Sequence, residues 1–136
     1  VKKEGLNLLQ LNKLLSIWQS RLQLDDWILS IDIVEFTRKD YQQSGDIKIN
    51  LGEKNAVIQL TNHPFKDEEY VLVHELVHLI LWKFDMFCEK SILEKLNELK
   101  KKTKRNEYLE LLESVVNHIT KALLASSGRT NIPDYC

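Results

Sequence analysis

Val71-Leu72-Val73-His74-Glu75-Leu76-Val77-His78-Leu79-Ile80-Leu81-Trp82 is the stretch that decides the fold. Nine of its twelve positions are apolar, so a helix here has no polar face and must be central and buried. The three exceptions are ionisable, and ionisable groups in an apolar helix are costly unless something compensates them. His74 and His78 stand four residues apart, which puts both imidazoles on one helix face. Two nitrogens so placed can reach one tetrahedral ion at about 2.0–2.1 Å each. Glu75 points in an adjacent direction, toward a water in an open coordination position rather than toward the ion. Zinc lowers the pKa of such a water toward about 7, and Glu75 can then take its proton.

Working outward, Pro64 is suited to open this helix, because its missing N–H costs nothing there. Asp67, Glu68 and Glu69 in the first turns complement the helix dipole. Upstream, Leu8, Leu11, Leu15, Trp18 and Leu22 predict an amphipathic helix over about residues 6–22. Trp27 to Phe36 alternates as a strand, with Leu29, Ile31 and Ile33 on one side and Ser30 and Asp32 on the other. Residues 37–44 are polar and end at Gly45, a turn signal. Ile47, Ile49 and Leu51 predict a second strand, and Ala56 to Leu60 a third, with a hairpin-length loop between. The short connections predict a meander. Downstream, Ile92, Leu93, Leu96 and Leu99 predict a one-sided helix that the charged run Lys100–Arg105 interrupts. Leu109, Leu112, Val116, Ile119 and Leu123 predict a last helix ending near Gly128, followed by an irregular tail. The class is α+β: a small three-stranded antiparallel or mixed sheet packed against a buried helix, with flanking helices, in one domain over residues 1–136.

Composition narrows the function by shortage. The chain has 136 residues and a formal net charge of -1, too balanced for a dedicated nucleic-acid binder. No apolar run reaches the roughly 18 residues of a membrane helix. Val1–Gly5 has charge with no apolar run after it, so no secretory leader is expected. Cys88 and Cys136 make no C-x-x-C pair, which removes a zinc ribbon and fits free thiols in a cytoplasmic setting. A metal site must therefore draw on His63, His74, His78, His118 and carboxylates. Catalytic zinc takes three protein ligands and one open position. Cys88 is a conceivable third ligand. Glu113 is better placed, at the edge of the last helix's apolar stripe. Asn117, one turn beyond Glu113, can hold a histidine N–H or the Glu113 carboxylate in place.

Residues 67–78, ending in His74-Glu75-Leu76-Val77-His78, resemble the active-site helix of zincin metallopeptidases. Glu113-Ser114-Val115-Val116-Asn117, continuing to Leu123-Leu124, resembles the second motif of the ImmA/IrrE group. SprT-like proteases are a second resemblance, through the order of strand and H-E-x-x-H. The resemblance implies a zincin-like, gluzincin-type domain with one Zn2+ per chain, held by His74, His78 and Glu113, and Glu75 as catalytic base. It implies hydrolysis of peptide bonds in a protein or peptide substrate, including regulatory proteins. Val77 stands where the group usually has Gly, and Ala125-Ser126 where it usually has Met-Pro.

In zincins a sheet edge beside the metal pairs with an extended peptide, and Ala56, Val57, Ile58, Gln59 and Leu60 are placed to be that edge. The oxyanion of the transition state needs a donor besides zinc, and His118, Tyr108, Tyr135, Arg129 and His63 are the candidates. Glutamates flank Lys100–Arg105 and no aromatic interleaves it, so it reads as a solvated helix end or connection rather than a nucleic-acid site. Trp18, Trp27 and Trp82 read as core anchors, and Cys88 as a small buried hydrophobe. The alternative to an enzyme is a non-catalytic zinc-binding or protein-interaction module on the same fold.

Overall fold

A computed structural model of the chain describes residues 6–34, 45–61, 67–94 and 96–133. It is α+β, with helix α1 (Leu8–Arg21), strands β1 (Ile28–Val34), β2 (Gly45–Asn50) and β3 (Asn55–Thr61), and helices α2 (Glu68–Leu93) and α3 (Glu98–Ser126). The chain divides into two compact units, Val1–Leu76 and Val77–Cys136, with the division inside α2.

In the first unit, α1 starts at a reciprocal cap. Asn7 Oδ1 accepts from the Gln10 N–H, and Gln10 Oε1 accepts from the Asn7 N–H. Leu11, Leu15 and Trp18, at i, i+4 and i+7, are buried as one stripe. The indole N–H of Trp18 donates to Glu69 Oε2 at 2.9 Å, and the Leu6 N–H donates to Glu68 Oε1 at 3.2 Å. The acidic residues that open α2 therefore also anchor α1. Asp67 caps α2, its Oδ1 accepting from the Tyr70 N–H at 2.9 Å. Pro64, expected to open this helix, lies outside the described residues.

The sheet has the order β1-β3-β2, with β1 parallel to β3 and β2 antiparallel to it. It is mixed, and the expected meander is not formed. Ile58 sits at its centre, level with Ile31 of β1 and Ile47 of β2. The side chains explain the order. Ala56, Ile58 and Leu60 of β3 are buried and its other face is half-buried, which suits a strand bonded on both edges. β2 exposes Lys48 and Asn50, and β1 exposes Ser30 and Asp32, as edge strands do. The assignment of Ala56, Val57, Ile58, Gln59 and Leu60 as a free sheet edge is thus overturned, because β1 and β2 occupy both of its sides.

The second unit holds the rest of α2 and all of α3. The separate helix expected around Ile92–Leu99 does not exist. α2 runs on to Leu93, and α3 begins at Glu98, where Asn97 Oδ1 accepts from the Lys100 N–H at 2.9 Å. Lys100–Arg105 lies inside α3 and does not interrupt it. Lys and Arg are good helix formers when solvated, so the break falls at the capping Asn97, not at the charge. Ion pairs Lys101–Glu98, Lys104–Glu107 and Arg105–Glu89 take up three of these cations. α3 buries Val116, Thr120 and Leu124, and the Thr120 hydroxyl donates to the Val116 carbonyl at 2.8 Å. Leu109, expected in the buried stripe, is exposed. Of the tryptophans only Trp18 is fully buried; Trp27, Trp82 and Cys88 are half-buried. Among the described residues no helix is long and apolar enough to cross a membrane.

Candidate metal centre

α2 carries Tyr70, His74, His78 and Trp82 in one i, i+4 row, the vertical register of a helix face. Tyr70 is buried, and its ring centroid lies 6.2 Å from that of His74 at 31° between planes. The phenol ring thus supports the imidazole from one turn below. His74 and His78 are both half-buried.

Glu113 of α3 meets this row. His78 Nε2 stands 2.8 Å from Glu113 Oε1, with the His78 side chain 15% exposed and that of Glu113 50% exposed. The ligand atoms of His74, His78 and Glu113 lie within 4.8 Å of one another. Ligands held 2.0–2.1 Å from a tetrahedral ion stand about 3.4 Å apart, inside that limit. Two imidazole nitrogens and one carboxylate oxygen fit a divalent ion with an open fourth position, the donor set of a catalytic zinc. The same donors suit other first-row metals, so the donor set alone does not select zinc.

Glu75, next to His74 but about 100° around the helix, is buried at 7% exposure. Its Oε1 reaches over the start of β2, 3.4 Å from where a Cβ on Gly45 would stand. The same Cβ would be 2.4 Å from Val71 Cγ1. Only glycine lets β2 pass this close beneath α2 and leaves room for the Glu75 carboxylate.

Asn117 is half-buried one turn beyond Glu113, and His118 is exposed. Both line an open cavity of about 530 Å³ whose described lining also includes Glu113, Ser114 and Lys121. His118 therefore borders the same groove as Glu113. Tyr108 does not. Its hydroxyl donates to Asp85 Oδ1 and lies 3.3 Å from the Asp85 carbonyl oxygen, seven residues and about 10 Å along α2 from His78. Burial, and then the Asp85 carboxylate, push the phenol up from its ordinary value. Tyr108 as a transition-state donor is corrected to a brace between α2 and α3. Arg129 donates to the Asn131 carbonyl, and His63 and Tyr135 lie outside the described residues.

Two features were missed from sequence. Lys121 continues the row Glu113, Asn117, Lys121, and that i, i+4, i+8 spacing was a readable signal. Asp85 as the partner of Tyr108 had no local signal. No protein-family model, curated protein or solved structure matches the chain.

Proposed function

We propose that this chain is a zinc-dependent metallopeptidase of the zincin type, similar to the ImmA/IrrE group, acting on a protein or peptide substrate in the cytoplasm. The observation that carries the reading is the gathering of His74, His78 and Glu113, from two helices, within 4.8 Å. Bound there, zinc would polarise the scissile carbonyl and acidify a water. His74 and His78 offer neutral nitrogens and Glu113 a negative oxygen, with Asn117 one turn beyond Glu113 able to fix its carboxylate. Glu75 is the base: its carboxylate takes a proton from the attacking water and passes it to the leaving amine. His118 lines the same open cavity as Glu113 and is our candidate for the donor that meets the developing oxyanion.

The test pairs metal analysis with hydrolysis of a fluorescently labelled, unfolded protein as probe. The parent should hold one zinc and cleave the probe. Glu75→Gln should keep the zinc and lose cleavage by at least about 100-fold. His78→Ala should lose the zinc itself. Cleavage by Glu75→Gln at the parental rate would sink the mechanism. A parent that takes up no zinc would sink the site. A parent with bound zinc and no cleavage would favour the non-catalytic module.

A further inference from the structure

The cavity beside Glu113 carries a lysine that the metal centre does not use. Glu113, Asn117 and Lys121 stand at i, i+4 and i+8 and all border it, so it extends along one face of α3. At 1.5 Å per residue, Glu113 and Lys121 are about 12 Å apart along the helix. An extended peptide advances about 3.3 Å per residue, so three or four residues span that distance. The volume of about 530 Å³ falls among concave sites that take ligands, about 300–1,000 Å³.

The charges of α3 are sorted along its length. In its first half Lys101 and Lys104 pair with glutamates of the same helix, and Arg105 pairs with Glu89. From Ser114 to Pro133 the chain has no Asp or Glu, and Lys121 is the only Lys or Arg of α3 beyond Glu113. Glu110 borders the cavity at the other end, eleven residues and about 16 Å from Lys121. That exceeds the Debye length of about 8–10 Å, so each charge sets the potential of its own end. Lys121 is half-buried and Glu110 is exposed, so the positive end is the less screened.

We propose, on the reading of His74, His78 and Glu113 as the centre of a peptidase, that Lys121 selects the substrate by binding one of its carboxylates. That carboxylate lies about three or four residues from the scissile bond, and belongs to an Asp or Glu side chain or to the substrate's own C-terminus. An ammonium is a compact point charge with three rotatable donors, which suits a carboxylate arriving at varied angles. A basic residue at the same place meets a like charge and is rejected. The opposite charge at Glu110 gives the groove a polarity, so a peptide with one acidic end lies in it in one direction.

The probes are short fluorescein-labelled peptides of Ala, Leu and Gln, with a single Glu or Lys moved through each position and the C-terminus free or amidated. Fluorescence anisotropy on the zinc-loaded Glu75→Gln protein reads binding without cleavage, and the parent reads cleavage of the same peptides. At one position Glu should bind at least about 10-fold tighter than Gln, and Lys more weakly than Gln. In the parent that position should fall three or four residues from the cut, and added salt should shrink the preference. Lys121→Glu should reverse the order of the Glu and Lys peptides, Lys121→Gln should level it, and Lys121→Arg should keep it. A lysine that only supports the helix would give no such reversal. A preference that needs the free C-terminus assigns the carboxylate to the chain end, and one that survives amidation assigns it to a side chain. Parental binding of Glu and Gln peptides within about 2-fold would overturn the role of Lys121, as would a preference that Lys121→Glu leaves unchanged. Cleavage of the labelled unfolded protein with no acidic preference would overturn it and leave the peptidase reading standing. Lys121-dependent binding of acidic peptides that the parent never cleaves would support the carboxylate site and sink the peptidase reading.

Discussion

Replacing Gly45 with alanine tests the link between the sheet and α2, the helix that carries His74 and His78. The added Cβ would stand 2.4 Å from Val71 Cγ1, 3.3 Å from the Gln59 carbonyl oxygen and 3.4 Å from Glu75 Oε1. Carbon atoms in contact normally stand about 3.5–4.0 Å apart, so the first approach is short by more than about 1 Å. Val71 is buried, and a β-branched side chain in a helix has one strongly preferred rotamer, so it cannot swing aside. The backbone of β2 or of α2 must yield instead. Overpacking of this kind costs about 1–3 kcal/mol. Alanine also restricts the unfolded chain, which offsets about 0.4–1 kcal/mol. The net loss should be about 1.5 kcal/mol, or about 5 °C in Tm for a chain of this size. Urea unfolding measures it, as a lower midpoint with an unchanged slope. In a Val71→Ala background the clash is gone, so Gly45→Ala should there be neutral or stabilising, giving a coupling of at least about 1 kcal/mol. Gly45→Ala within about 0.5 kcal/mol of the parent would refute the reasoning. So would an equal loss in both backgrounds.

Tyr108→Phe should cost about 1 kcal/mol by leaving Asp85 without its donor, while hydrolysis of the labelled probe stays at the parental rate; a 100-fold loss of cleavage would return Tyr108 to the reaction. The phenol is held above its ordinary value, so its stabilisation is complete below about pH 10 and is lost as pH rises further. Urea midpoints measured on both proteins should therefore converge above pH 10, and a gap that stays constant would contradict the assignment. Trp18→Phe should cost about 2–3 kcal/mol, since it removes both ring volume and the N–H bonded to Glu69 Oε2. Glu69→Gln keeps an acceptor and should cost less in the same urea assay; equal losses would show that volume plays no part.

The elements with a strong local period were legible. Leu11, Leu15 and Trp18 announce α1 at helical spacing, and Ile47 and Ile49 announce β2 at alternating spacing. The break between α2 and α3 was not read, although Asn97 before Glu98 carries a capping signal. The charged run drew attention because it is conspicuous, yet solvated lysines do not end a helix. The strand order was illegible because pairing of β1 with β3 spans residues far apart in sequence. Short connections alone favour neighbours, and only the fit of β3, with one face buried and the other half-buried, to a place between β1 and β2 reverses that preference.

The sequence by itself determined the spacing of His74 and His78, because 3.6 residues per turn places i and i+4 on one face wherever the helix lies. It also determined that this face belongs to a helix too apolar to be on the surface along its first turns. Tertiary structure decided what stands opposite. It set Glu113 2.8 Å from His78, sent Tyr108 to Asp85, brought Gly45 under Val71 and Glu75, and left Phe84 and Phe87 uncovered. The physical reason is range. Helix and strand periods are local and repeat along the chain, whereas the partner of a side chain is chosen by which distant surfaces bury one another, and no local period encodes that choice.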